Sequence, residues 1–309
     1  MNSREPVRKG KVKDVYDLGD RLLFKFSDRI SVFDKIIPTT VPDKGRSLCR
    51  TSTYWFQRLK DRGIKTHFIS AKDDEMEVSK FMVREKVDSS VYGGYLIPLE
   101  FVVRYYAAGS LMDKLKSGRI DFRKLGLSNM PEYGEKLPDP FFEVTTKFET
   151  FDRYLEYSEA CEISGLKHWE LTDIMESCLR IDRIIESQVA RNGLIHADGK
   201  KEFALDWDRT PVVVDTFGTL DEDRFWEKSS LDSGKVVELS KEFVRQYYRN
   251  SGYHGKLYEM RSGGLKEPDI PPLPAEMVVK VSDLYRSMYE RLTGSKWWDW
   301  NTENSGRPV

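Results

Sequence analysis

LIHADGKKEFALDWDRTPVVVDTFGTLDEDRFW, residues 194–226, carries the alternation from which the rest of the architecture follows. Asp198, Lys200 and Glu202 recur at every second position, the period of a β-strand, so their side chains share one face. Asp206 to Pro211 is rich in turn formers. Val212-Val213-Val214 is then a β-branched run of the kind found in buried strands, ended by Asp215. Two neighbouring strands would bring Glu202 and Asp215 into one neighbourhood, with Lys200 and Arg224 available to offset their charge. That composition suits magnesium beside a nucleotide, because Mg2+ takes oxygen ligands, commonly carboxylates, phosphates and water, while lysine meets phosphate charge. A polar outer face on a surface hairpin gives the same alternation.

Around this segment, 309 residues leave room for two domains or one large one. Fifty basic and 51 acidic side chains nearly cancel, so no overall field draws the chain to nucleic acid or a membrane, and an anionic ligand needs a local cluster. Cys49, Cys161 and Cys178 are too few, and odd in number, for a disulfide framework, which fits a reducing cytoplasm. The first residues, MNSREPVRKGK, have no apolar core of a signal peptide, and no apolar run reaches membrane-spanning length. His67, His168, His196 and His254 lack partners at ligand spacing, so a histidine-based zinc site is not expected.

Upstream, KVKDVYDL and RLLFKFS alternate about Gly19-Asp20 and predict a hairpin, with Leu22, Phe24 and Phe26 toward the core. Lys11 and Lys13 share a face beside Gly10, where two ammonium groups can meet phosphates or simply face solvent. SDRISVFD, residues 27–34, is dense in short polar groups; PTTVPDKG turns. Ser47 is predicted to cap a helix running to Arg62, with Leu48, Trp55 and Leu59 as its apolar stripe. In LIPLEFVVRYYAAGS, residues 96–110, Leu99, Phe101, Val103 and Tyr105 oppose Glu100, Val102, Arg104 and Tyr106. Ala107-Ala108-Gly109 permits close backbone approach, and Ser110 is predicted to cap a short helix, a phosphate seat beside Arg104 or an ordinary strand-to-helix turn.

Residues 119–140 read as a loop-rich excursion, and TTKFETFDRYLEYSEACEISG as the start of a helical region. Glu170 to Asn192 is a strong helix: Leu171, Ile174, Met175, Cys178, Ile181, Ile185 and Val189 form its stripe, and Gly193 closes it. SKEFVRQYYRNSG and Glu276 to Leu292 are further helices, separated by the proline-rich KEPDIPPLP. Trp297, Trp298 and Trp300 are expected to staple the tail to the body before NTENSGRPV frays.

Taken together, several of these stretches resemble the phosphoribosylaminoimidazole-succinocarboxamide synthase (SAICAR synthetase) family. GKVKDVY is similar to its N-terminal strand motif, SDRISVFD with IPTTVPDKG to its acceptor loop, and IPLEFVVRYYAAGS to its first signature. DPFFEVTTKFE and PPLPAEMVVKVSDLYRSMYERLTG are similar to further family segments, in order along nearly the whole chain. The second signature departs: family members usually read D-T-K-F-E-F-G where this chain has residues 198–204, DGKKEFA. They carry glutamate, serine and serine where it has Thr216, Glu222 and Asp223. Two added carboxylates beside an anionic substrate would repel it unless they turn away.

The resemblance implies an α+β fold, with an antiparallel β-rich N-terminal lobe like the small lobe of protein kinases (residues 1–100) over a larger α+β lobe (101–309). It implies an ATP-dependent ligase joining L-aspartate to the carboxylate of carboxyaminoimidazole ribonucleotide through an acyl phosphate, in de novo purine biosynthesis, with Mg2+. Lys11, Lys13 and Glu100 would then meet ATP, and Glu202 and Asp215 the metal. Lys200 and Asp198 would sit near the reacting carboxylate, with Lys147 a further contributor. Arg104, Ser110 and Arg224 would bind the ribonucleotide, and Asp28, Ser31 and Asp34 the aspartate side. Small-molecule substrates, a cytoplasmic location and a possible homo-oligomer complete the expectation. A related ligase with another carboxylate or amine is the first alternative. A kinase-like phosphotransferase or a non-catalytic nucleotide-binding protein comes behind it.

Overall fold

The computed structural model describes residues 5–88, 90–149 and 153–300, and its mixed helices and antiparallel sheets make an α+β fold. Backbone proximity divides the chain into two compact units that interleave in sequence, one from 1–54, 68–80 and 238–309, the other from 55–67 and 81–237. A single cut near residue 100, the sequence expectation, is a different partition, because residues 238–309 group with the N-terminal segment.

In the first unit β1 (Arg8–Lys9), β2 (Lys13–Asp17) and β3 (Arg21–Phe26) precede a short hairpin of β4 (Ser31–Val32) and β5 (Lys35–Ile36), then β6 (Phe68–Lys72) and β7 (Glu75–Ser79). The order β1-β2-β3-β7-β6 is antiparallel throughout, and the expected β2–β3 hairpin forms with Phe24 and Phe26 buried. The helix Lys44–Lys60 starts three residues before the expected cap. Ser47 lies inside it and donates its hydroxyl to the Tyr285 carbonyl at 2.8 Å. The Ala275–Thr293 helix buries Met277, Val281, Tyr285, Met288 and Leu292 at helical spacing, and Arg286 pairs with Asp43 at 3.0 Å. Trp297 is buried under the Arg50 guanidinium, 4.2 Å from its ring centroid, and Trp300 lies 5.3 Å from the same group. Trp298 takes no part in the staple and stays 84% exposed. The fraying expected of NTENSGRPV falls outside the described residues.

The second unit is built on β11 (Leu194–Leu205), flanked by β8 (Tyr95–Leu96), β9 (Leu99–Tyr106), β10 (Lys136–Thr146), β12 (Pro211–Val214) and β13 (Asp223–Glu227). The order is β10-β9-β11-β12, with β8 and β13 also pairing with β11. Leu99, Phe101 and Val103 are buried as the alternation required, Phe101 meeting Phe203 edge-on at 5.6 Å. The helix His168–Val189 packs on β11 through the expected stripe, with Met175 alone of that set only half-buried. A 3-10 turn over Ala190–Asn192 then ends at Gly193.

One strand here corrects the sequence reading, and another lies where that reading made no assignment. Residues 136–146 are a strand, where a loop and then helix were expected. Its Pro138 and Pro140 sit within a register break between Lys136 and Phe141, on an edge strand, which is where proline is tolerated in a sheet. Residues 223–227 form β13, so Arg224 is a strand residue. No helix among the described residues is long and apolar enough to cross a membrane.

Candidate active site

β11 supplies the first part of the site. Its alternation sends Asp198, Lys200 and Glu202 to one face, and antiparallel pairing sets Asp198 opposite Arg104 and Lys200 opposite Val102 of β9. Glu100 and Arg104 of β9 therefore meet the β11 row, and the Lys200 ammonium lies 3.0 Å from Glu100 Oε1 and 3.0 Å from Glu202 Oε1. Lys147, just past β10, donates to Glu202 Oε2 and lies 4.0 Å from Glu100. Glu222 Oε2 stands 3.3 Å from Lys200.

Burial pushes the Glu202 carboxyl up, and the Lys147 and Lys200 ammoniums more than reverse that, leaving it well below the usual carboxylate range. Burial likewise pushes Lys200 down, but Glu222, Glu202 and Glu100 together carry it well above the ordinary lysine value. Lys200 is therefore a fixed cation. Across β12, Glu202 is the register partner of Val214, so Asp215 follows one residue beyond, at a left-handed backbone position with φ 61°. The expected neighbourhood of Glu202 and Asp215 is present at the level of the backbone. His67 Nε2 lies 3.3 Å from the Asp215 carbonyl oxygen.

At the other end of the row Asp198 is held by two arginines, Arg104 Nη1 at 3.0 Å and Arg224 Nη1 at 2.6 Å. Arg104 also donates to Glu143 at 2.8 Å and to the Ser110 hydroxyl at 2.9 Å, and Lys114 bonds the other Glu143 oxygen. Burial lowers Arg104 to about 10, against the pull of Asp198. Burial raises Asp198, and Arg224 and Arg104 bring it below its ordinary value. Ser110 does not cap its helix: it is the first helical residue, the cap is Gly109, and its hydroxyl serves Arg104. Gly109 has φ 56°, and a Cβ there would sit 2.3 Å from Arg224 Nη2, so this glycine makes room for the guanidinium. Four residues of strand separate Asp198 from Glu202, roughly 13 Å.

The remaining expected residues belong to the first unit. Lys11 pairs with Asp34 at 2.5 Å, both about half exposed. The Lys13 ammonium stands 4.7 Å from the Phe24 ring centroid. Asp28 accepts from the Gly45 amide at 3.0 Å, and the buried Ser31 hydroxyl lies 3.4 Å from Lys241 Nζ. Phe33 and Asp34 both take positive φ, forming the two-residue turn between β4 and β5. Of the residues around the β11 row, sequence reasoning missed Glu143, Lys114 and the pairing of Glu222 with Lys200. Each joins segments too far apart in sequence for any local period to reveal.

The two added carboxylates do not act alike. Glu222 is paired with Lys200, whereas Asp223 turns to the opposite face of β11, where it meets His196 Nε2 at 2.7 Å. His196 thus has acidic neighbours in space that its sequence neighbourhood does not show, since donor atoms of Asp182, His196 and Asp223 lie within 4.8 Å of one another.

The family model for SAICAR synthetase matches residues 6–260. A phosphoribosylaminoimidazole-succinocarboxamide synthase of Thermoplasma acidophilum is 61% identical over 292 residues, covering 94% of this chain and 99% of that one. Its counterpart in Thermoplasma volcanium is 60% identical over 289 residues, covering 93% and 98%. Among solved structures, a Saccharomyces cerevisiae SAICAR synthase complexed with SAICAR superposes with a TM-score of 0.72 at 26% identity, over 96% of this chain and 97% of that one. A SAICAR synthetase in complex with ADP gives 0.66 at 26% identity, over 94% and 98%.

Proposed function

This chain belongs to the SAICAR synthetase family, enzymes that act as ligases in de novo purine biosynthesis, and on that premise we propose that it joins L-aspartate to carboxyaminoimidazole ribonucleotide at the expense of ATP. The observation that carries this reading is the charged row on β11: an acid held by two arginines at one end, an acid held by two lysines at the other.

A carboxylate does not react with an amine until one of its oxygens becomes a leaving group. In the proposed sequence a carboxylate oxygen of the ribonucleotide attacks the γ-phosphorus of ATP, the bond to ADP breaks, and an acyl phosphate forms. The aspartate amine then attacks the carbonyl carbon, loses a proton, and expels phosphate. The chain's contribution is placement and charge neutralisation. Arg104, Ser110 and Arg224 take the ribonucleotide and its phosphate, Arg104 from a buried position braced by Glu143. Lys200, kept protonated by three carboxylates, and Asp198 flank the reacting group. Lys11, Lys13 and Glu100 serve ATP; Asp28, Ser31 and Asp34 serve the aspartate.

Glu202 and Asp215 offer oxygen donors only, which fits Mg2+, and when bound the ion neutralises triphosphate charge. Lys147 and Lys200 bond the same Glu202 carboxylate and would share it with the ion. Three free cysteines agree with a cytoplasmic location. Of the two added carboxylates, Asp223 faces away from the site and Glu222 is held by the Lys200 ammonium, which it shares with Glu100 and Glu202; both arrangements reduce the repulsion of an anionic substrate.

The test is direct. Purified protein given ATP, Mg2+, aspartate and the imidazole ribonucleotide should release ADP and form the succinocarboxamide adduct. No ADP and no adduct would remove the assignment, and turnover only with another amine would support the related ligase.

A further inference from the structure

Asp223 is 2% exposed and does three things at once. Its Oδ1 accepts from the Gly218 amide at 2.9 Å, its Oδ2 meets His196 Nε2 at 2.7 Å, and the fully buried Lys201 ammonium lies 3.7 Å away. Lys201 also bonds Asp182, whose other oxygen accepts from the Tyr105 hydroxyl at 2.9 Å. The Lys201 ammonium thus serves both acids of this cluster, bonding Asp182 and facing Asp223 at 3.7 Å, one cation against two carboxylates.

The partners of Asp223 lie in two places, the loop between β12 and β13 and the neighbouring strand β11. Gly218 is in the segment that leaves β12, and His196, Lys201 and the register partner Gly199 are on β11. Gly199 is required for space: a Cβ there would stand 2.1 Å from Asp223 Oδ2 and 2.7 Å from Lys201 Nζ. On either side of Asp223 in sequence, Glu222 reaches Lys200 and Arg224 reaches Asp198, both on the opposite face of β11.

We propose that Asp223 is a positioning residue: anchored over Gly199 by Gly218, His196 and Lys201, it clamps the 216–222 loop to β11 and so fixes Glu222 on Lys200 and Arg224 on Asp198. Asp223 touches no reacting atom. It acts through its two neighbours, so its loss should weaken the end of the site served by Arg224 more than the nucleotide end. The kinetic part rests on the ligase assignment above; the anchoring part does not.

Two measurements on the full chain separate these. In a thermal-melting cycle, Gly199→Ala should lower the melting temperature by roughly 5 °C or more in the wild type but by only about 2 °C in an Asp223→Ser background, since the obstructing carboxylate is gone. Equal losses in both backgrounds overturn the clamp. In steady-state assays, Asp223→Asn, which keeps an acceptor for the Gly218 amide, should raise KM for the phosphorylated acceptor about tenfold while KM for ATP stays within about twofold. Both KM values unchanged, or both raised alike, overturn the positioning role. A wild type without turnover would count against the ligase assignment, and the melting cycle would still decide the clamp.

Discussion

At the scale of single residues, the site is a set of ion pairs buried deeply enough that each partner depends on the other. Glu202→Gln removes the charge that both Lys147 and Lys200 meet, and kcat should fall by at least roughly 100-fold. Asp215→Asn should be similarly damaging, and wild-type rates in both would remove the metal assignment. The same pairs fix the pH response. Glu202 and Asp198 are held below their ordinary values, so their contribution is present above about pH 4 and is lost as the pH falls through their lowered values. Lys200 and Lys201 are raised, so theirs is complete below about pH 10 and is lost as the pH rises through the raised values. Asp223, raised chiefly by burial, works in the opposite sense to the other two acids. Urea midpoints against pH should therefore show a plateau with an acidic and an alkaline fall. A profile that keeps rising above pH 10 would contradict it.

Among the elements, β11 was legible because Asp198, Lys200 and Glu202 keep a strict period of two, and the His168–Val189 helix because its stripe keeps the helical period over about five turns. β10 was not, because two prolines and a register break erase the alternation over its first half. Ser47 and Ser110 carry the right chemistry for caps, yet each hydroxyl is engaged elsewhere, by Tyr285 and Arg104, which local sequence cannot disclose. Gly199, Lys201 and Asp223, three departures from the family pattern that looked independent along the chain, are neighbours in space. The junction of β9 with the Ser110–Lys116 helix offers a test at this scale. Gly109→Ala forces alanine into a positive-φ conformation (φ 56°, ψ −137°) that is open mainly to glycine, a strain of about 1–3 kcal/mol, and pushes on the Arg224 guanidinium. It should lower the melting temperature by a few degrees and raise KM for the phosphorylated acceptor severalfold. Unchanged KM would show that Arg224 does not serve that substrate.

For the whole molecule, the interleaving of the two units is what the sequence least revealed, because hydrophobic patterning says which face of a helix is buried but not against what. The Ala275–Thr293 helix was expected, and its pairing with Asp43 and Ser47 was not. A chain ending at residue 237 should accordingly lose the packing of residues 5–54, read as rapid protease cleavage there, while 81–237 stays resistant. Equal resistance in both regions would mean that the C-terminal helices are dispensable. The same arrangement sets a schedule for synthesis on the ribosome. Residues 42–47 are translated before β11, but they wait for their partners on the Ala275–Thr293 helix until the whole of 55–237 has been made, whereas the unit carrying β11 draws only on that continuous middle stretch. The Ala275–Thr293 helix thus completes a unit whose other parts were synthesised well before it, and a nascent chain stalled ahead of that helix should present residues 5–54 to chaperones.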